Sequence, residues 1–211
     1  MRILDDIVRS CRRASSGERL TGVDVDELKS DPYTAGLLEP VDEEEFDWLR
    51  EFAGRAFGSA WRPLPVKGVV DRDYPEPPSL DAAPMSTYLA ISERAVAALA
   101  DLVEGYAEIL PLDSDPPGYH LLHPTCVLDA LDEDASEVNR LPTGRVSKVH
   151  SWVLGRGLLE GVPVFKLPPF VHGRTYATDL FARAVAEAGL TGFDLRPLRP
   201  LAWAQDVGAR A

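Results

Sequence analysis

Two histidines and a cysteine follow one another at intervals of three residues in the middle of the chain, at His120, His123 and Cys126. Imidazole nitrogen and thiolate sulfur are ligands that Zn²⁺ prefers, so this run offers three metal ligands. The segment from 119 to 123 is predicted to be a β-strand, however, and side chains of a strand alternate between its two faces. His120 and His123 would then point to opposite faces, and Pro124 redirects the chain before Cys126. We therefore expect neither a metal nor another cofactor.

Cys126 could also serve as a nucleophile if the fold placed His150 or His172 beside it as a general base. Nothing in the local sequence marks such a site: the flanking residues are Thr125 and Val127, and the chain contains no Gly-x-Ser-x-Gly elbow. A cysteine in such a setting more often packs in the core. A metal- or thiol-dependent enzyme that uses these groups is therefore the alternative function, and a non-enzymatic protein is the expectation.

Acidic side chains are concentrated in two places. One group occupies the first turn of a predicted helix over 43–57, where the helix dipole favours negative charge by about 0.3–1 kcal/mol per residue, so local stability explains it. The other group has no basic residue before Arg140; it consists of Asp129, Asp132, Glu133, Asp134 and Glu137. Carboxylates this dense repel one another unless they are capped, screened or met by a partner. A solvated loop with a helix cap, a partner-binding surface and a cation or catalytic site are all open interpretations.

The charge balance narrows the class of partner. The chain has 34 acidic and 22 basic side chains, which gives a net charge of −12. This excess argues against nucleic acid or an anionic membrane as the partner and favours a basic protein, although it also serves solubility. With 211 residues, 45% of them apolar, the chain is long enough for one domain, or for one domain with a smaller appendage.

Cysteine usage and the N-terminus indicate the compartment. Cys11 and Cys126 are the only cysteines and have no paired spacing, so we expect no disulfide framework and a reducing environment. Two aspartates near the start stand where a signal peptide needs an apolar core, and no apolar run is long enough to span a membrane. The prediction is a cytoplasmic protein.

Hydrophobic periodicity predicts an α+β fold, with a mixed or antiparallel sheet covered by helices and a helical N-terminal segment. Helices are expected at 3–13 and 43–57, and after the N-caps Ser92 and Thr178, with Leu99 and Phe181 facing the core. Proline-rich residues 73–84 are expected to be a connector. Strands are expected near 66–70, 119–123, 145–154, 163–167, 175–177 and 192–198. Residues 1–60 and 61–211 are taken as two segments of one compact unit.

Several ordered blocks between Trp61 and Leu198 carry a resemblance to a known family. These blocks are a Ser-Glu-Arg-Ala helix start, a Leu-Pro-Leu segment, an Asp-Ala-Leu-Asp box, a Phe-Lys-Leu-Pro strand and an Ala-Gly-Leu-Thr-Gly turn, at 92–95, 110–112, 129–132, 165–168 and 188–192. Together they resemble immunity-protein family number eleven of bacterial polymorphic toxin systems.

The resemblance implies a small cytoplasmic protein that binds and neutralises a toxin. It transfers no catalytic residue. Combined with the charge, it makes the second acidic group a candidate toxin-binding surface for a basic toxin such as a nuclease. A regulatory or scaffold module is a further alternative, and the neighbouring reading frame would separate the two.

Overall fold

A computed structural model describes residues 23–30, 36–42, 44–69 and 79–204. The fold is α+β with 42% strand and 21% helix, so sheets dominate, and the strands form three sheets. The predicted α+β class is therefore confirmed, although the chain forms three sheets where one was expected. The helix predicted at 3–13 lies outside the described residues, and a helical N-terminal segment is not what residues 23–60 form, because they contain two strands and a short helix.

The described residues contain three α-helices and thirteen strands. The helices are α1 (Glu44–Glu51), α2 (Glu93–Val103) and α3 (Asp179–Glu187). The first seven strands are β1 (Val25–Ser30), β2 (Leu37–Pro40), β3 (Leu64–Val69), β4 (Ala82–Met85), β5 (Tyr88–Ser92), β6 (Ala107–Asp115) and β7 (Tyr119–Pro124). The remaining strands are β8 (Glu137–Arg140), β9 (Val146–Leu154), β10 (Val164–Phe165), β11 (Thr175–Thr178), β12 (Phe193–Pro197) and β13 (Leu201–Trp203).

The largest sheet has six strands in the order β2-β3-β6-β7-β5-β4. Its neighbours are antiparallel except β3 and β6, which run parallel. The two outer strands, β2 and β4, lie against each other, so the sheet curls towards a barrel. Its concave side encloses a core of eleven buried residues: Leu38, Leu49, Phe57, Leu64, Val66, Ala83, Met85, Ala90, Leu110, Tyr119 and Leu121.

The other two sheets share a second, larger core. One sheet has the order β10-β11-β1-β12 and the other the order β13-β9-β8. Strand β1 lies between β11 and β12, so residues near the start of the chain pair with residues near its end. Helix α2 packs against the six-stranded sheet, α3 packs against β11, and the two helices pack against each other. This helix pair connects the curled sheet to the four-stranded sheet.

The predictions for the two long helices are confirmed. The Ser92 hydroxyl accepts a hydrogen bond from the Ala95 backbone N–H and caps α2, whose residue Leu99 is fully buried. Thr178 caps α3 in the same way, and Phe181 is fully buried. The helix is followed by Gly189 with φ +61°, the left-handed conformation that glycine adopts most readily.

Two local predictions were wrong. The helix predicted over 43–57 ends at Glu51, because the following residues form turns and Gly54 takes φ +73°. Phe57 is nevertheless buried, since the turns bring it back onto the curled sheet. Part of the predicted connector over 73–84 belongs to β4, where Pro84 is tolerated because β4 is an outer strand of its sheet.

The carboxylate of Asp81 joins β4, α2 and the turn after α3. It accepts hydrogen bonds from the Ser92 hydroxyl (2.8 Å), from Arg94 Nε (3.0 Å) and Nη2 (2.7 Å), and from the N–H (2.9 Å) and hydroxyl (3.0 Å) of Thr191. Burial alone would raise the pKa of Asp81, but the hydrogen bonds from Arg94, Thr191 and Ser92 outweigh it and hold the pKa well below its usual range. Asp81 is therefore ionised at any physiological pH.

Beside Asp81, the chain passes so close to itself that only glycine fits. A Cβ atom on Gly192 would lie 2.4 Å from the carbonyl oxygen of Ala82, and Gly192 has φ +84°. The same approach allows the Ala82 N–H to donate to the carbonyl oxygen of Thr191 (3.1 Å). Side-chain and backbone contacts therefore fix the end of α3 to the start of β4.

Candidate functional site

The second acidic group lies in the loop that precedes β8 and at the first residue of that strand, Glu137, and the structure divides the group into two kinds of residue. Asp132 is structural: its Oδ1 accepts hydrogen bonds from the backbone N–H groups of Asp134 (3.2 Å) and Ala135 (3.0 Å). Its own N–H donates to the carbonyl oxygen of Val153 in β9 (2.9 Å). This side chain closes a local turn, as aspartates often do, so its carboxylate is already engaged.

Glu133 is also engaged, since its Oε2 accepts a hydrogen bond from Arg140 Nη1 at 2.6 Å. Asp129, Asp134 and Glu137 are exposed, and none of them forms an ion pair with another described residue. Three of the five predicted residues are therefore available to a partner, on a loop whose backbone is attached to β9. A rigidly attached loop is a suitable place for a recognition surface.

The two histidines do not converge with Cys126 on a common site. Tyr119 and Leu121 of β7 belong to the core inside the curled sheet, whereas Leu122 belongs to the other core. His120, between the first two, therefore faces away from the concave side, whereas His123 packs edge-on against Phe57, with 4.8 Å between ring centroids. The prediction that His120 and His123 point to opposite faces is confirmed.

His123 attaches the segment after α1 to β7. Its Nε2–H donates to the carbonyl oxygen of Arg55 at 2.8 Å, and its buried Nδ1 has no hydrogen-bond partner in the described part of the chain. Opposite His123 on β6, the Glu108 carboxylate accepts hydrogen bonds from the N–H groups of Phe57 (2.7 Å) and Gly58 (3.0 Å). Burial lowers the pKa of His123, so the ring is neutral at pH 7.

Cys126 is disulfide-bonded and fully buried. The expectation of no disulfide framework was therefore wrong for this residue, and cysteine usage no longer supports the reducing environment inferred from it; Cys11, the other cysteine in the sequence, lies outside the described residues. A sulfur atom held in a disulfide is neither a nucleophile nor a metal ligand. Among the described residues there is also no group of three His, Cys, Asp or Glu side chains arranged to hold a metal ion.

Lys166 is a buried cation that the sequence prediction missed. Its ammonium donates to the carbonyl oxygen of Arg174 at 3.2 Å, and burial lowers its pKa to about 8. The backbone of Lys166 is bonded to the segment just before the Asp-Ala-Leu-Asp box, because its N–H donates to the carbonyl oxygen of Cys126 and its carbonyl oxygen accepts from the N–H of Leu128. The sequence feature that could have predicted this buried charge is the single lysine inside the apolar segment 162–170, because charged side chains are rarely found in such segments.

Comparisons with known proteins add no family assignment: a scan against protein-family models and a search of curated proteins both find no match. Within the residues that the structure describes, none of the helices has the length and apolar character needed to cross a bilayer.

Lys166 should make stability depend on alkaline pH. The lysine pKa is about 10.5 in an unfolded chain and about 8 in the fold, so between these values the unfolded state binds more protons and stability rises with pH. We expect the free energy of unfolding to increase by about 2 kcal/mol from pH 8 to pH 10. Chemical denaturation at several pH values measures it.

The matched control is Lys166→Met, which keeps the side-chain length and removes the charge, and should lack this increase. The window ends near pH 10 because burial raises the pKa of Tyr88 and of Tyr119 to about 12, so tyrosine ionisation favours the unfolded state above that point. An equal pH dependence in the wild type and in Lys166→Met would contradict the argument.

Proposed function

We propose that this protein is a non-enzymatic immunity protein that binds the folded toxin domain of a polymorphic toxin system in the bacterial cytoplasm and neutralises it. Binding would cover the toxin's active site or hold the toxin in an inactive state. The observation that carries the proposal is the order of the five blocks between Trp61 and Leu198, which resembles immunity-protein family number eleven.

The positions of these blocks in the fold support the resemblance to that family. The helix start at 92–95 and the turn at 188–192 both contact Asp81. The Phe-Lys-Leu-Pro strand bonds to Leu128, immediately before the Asp-Ala-Leu-Asp box. The blocks at 92–95 and 188–192 therefore contact each other, since Arg94 also donates to the carbonyl oxygen of Gly189. Framework residues define a fold and leave the choice of partner to the surface.

The surface feature that fits a basic toxin is the loop with Asp129, Asp134 and Glu137. Exposed carboxylates attract a positively charged partner over several ångströms, which raises the association rate and helps select the partner. Asp132 and Glu133 hold the loop in shape through their turn and ion-pair contacts. Recognition by a preformed loop avoids the entropy cost of ordering a flexible one.

Co-expression tests the function. The toxin domain encoded next to this gene should kill cells when expressed alone and should be tolerated when this protein is present. Leu99→Asp, which places a charge at a fully buried position, is the matched loss-of-fold control and should not protect. Equal killing with and without the wild-type protein by an active neighbouring toxin would exclude the proposal, and a neighbour without toxicity would favour a regulatory module.

The loop's role is tested by charge removal. A triple variant, Asp129→Asn, Asp134→Asn and Glu137→Gln, should associate with the toxin about tenfold more slowly at low salt and with a weaker salt dependence. The control removes the same charge from other exposed positions, with Asp101→Asn, Glu104→Gln and Asp113→Asn. Stopped-flow association at two ionic strengths measures both.

Asp132 and Glu133 are left unchanged in these variants because their replacement would disturb the loop itself. Equal association rates for the two triple variants would mean that total charge, and not this loop, steers the toxin.

A further inference from the structure

A cleft of about 430 Å³ opens at one end of the four-stranded sheet. It is lined by the end of β1 (Glu27–Ser30), by the turn that joins β4 to β5, and by residues 173–175. Cavities that bind small molecules in proteins start at about 300 Å³. The cleft therefore has room for a small ligand, and the neutralisation of a toxin gives it no role.

The charged side chains of the cleft carry a local excess of positive charge. Glu27 Oε1 lies 3.1 Å from Lys29 Nζ and 3.7 Å from Arg174 Nε, so one carboxylate faces two cations. The chain as a whole has a net charge of −12, so a cationic cleft runs against the general trend of the molecule. Such a cleft favours an anion as ligand.

Arg174 is held in position by an aromatic side chain, and its ion pair with Glu27 is a loose one. Its guanidinium carbon lies 4.6 Å from the centre of the Phe170 ring, a stacking contact that fixes the orientation of the guanidinium. The 3.7 Å separation from Glu27 is too long for a hydrogen bond. A guanidinium has five N–H donors in a planar fork, which matches the two oxygens of a carboxylate or a phosphate.

Two features that lower the stability of the fold border the same cleft. The hydroxyl of Ser30 is buried and has no hydrogen-bond partner among the described residues, and a buried polar group left in this way destabilises the fold. Ser86, in the two-residue turn between Met85 and Tyr88, has φ +56°, a conformation that non-glycine residues rarely adopt. A two-residue hairpin turn requires a positive φ at this position, so Ser86 accepts backbone strain where glycine is usual.

We propose that this cleft binds the oxyanion head group of a small ligand, a carboxylate or a phosphate, with Arg174 and Lys29 as its cationic contacts. The Glu27 carboxylate competes with the ligand for the same two cations and so limits the affinity. The proposal is independent of toxin binding, because it rests on a different part of the surface.

Isothermal titration calorimetry of the full chain with inorganic phosphate and with citrate, at an ionic strength held constant with sodium chloride, tests the proposal. Arg174→Gln should weaken binding by at least about tenfold, because a charge-assisted hydrogen bond is lost. Glu27→Gln should strengthen binding several-fold, because the competing carboxylate is removed. Lys148→Gln, an exposed lysine on β9, is the control and should bind as the wild type does.

Each outcome has a defined meaning. Binding of phosphate alone, or of citrate alone, supports the site and identifies its head group. Failure of both ions to bind the wild type, or equal affinities in wild type, Arg174→Gln and Glu27→Gln, would overturn the proposal. Circular dichroism checks the fold of each variant, and if Arg174→Gln does not fold, Glu27→Gln and Arg174→Lys decide in its place, since Arg174→Lys keeps the charge but loses the fork and should bind more weakly.

Discussion

Five hydrogen bonds from three residues converge on the carboxylate of Asp81, and the arrangement of the two cores depends on them. Asp81 immediately precedes β4, an outer strand of the curled sheet, whereas its donors belong to the start of α2 and to the turn after α3. Arg94 extends the contact by donating to the carbonyl oxygen of Gly189 at 2.6 Å. A buried carboxylate is stable only when its charge is compensated. Strand β4, helix α2 and the turn after α3 must therefore all be in place together.

A second set of polar contacts organises the opposite side of the curled sheet. Glu108 and His123, paired across β6 and β7, bind the backbone of residues 55–58 and hold the aromatic residues after α1 against the sheet. Trp48 and Trp61 stack there, with 5.5 Å between ring centroids.

This framework holds in position the two surfaces that we propose as binding sites. The acidic loop is attached to β9 through Asp132, and the cationic cleft is formed where β1 meets the turn between β4 and β5. These two surfaces have opposite local charge and suit different ligands: a basic protein in one case and a small oxyanion in the other. The cleft depends on the pairing of β1 with β11, about 150 residues away, whereas the acidic loop is attached to β9, only about 20 residues away.

Local signals in the sequence predicted the parts of the fold that local interactions determine. Ser92 and Thr178 were predicted as N-caps because capping involves residues only two or three positions apart. The central position of β1 could not be predicted, since its pairing partners lie about 150 residues away. Asp81 was missed for the same reason: its donor Thr191 is 110 residues distant.

The acidic loop, a candidate site, could likewise be predicted only in part from the sequence. Five carboxylates in a row of nine residues are visible in the sequence, but only the structure shows that Asp132 closes a turn and that Glu133 pairs with Arg140. The alternation of side chains along a strand, by contrast, correctly predicted that His120 and His123 face opposite sides of β7.

Chemical denaturation of Asp81→Ala, followed by circular dichroism and by tryptophan fluorescence, tests the central claim most directly. We expect a single, coincident transition in the wild type and a loss of about 2–4 kcal/mol in the variant, since the substitution leaves the donors of Ser92 and Thr191 without their acceptor. Asp129→Ala, an exposed aspartate, should change stability by no more than about 0.5 kcal/mol. A loss in Asp81→Ala as small as that of the control would contradict the claim that this carboxylate holds the two cores together.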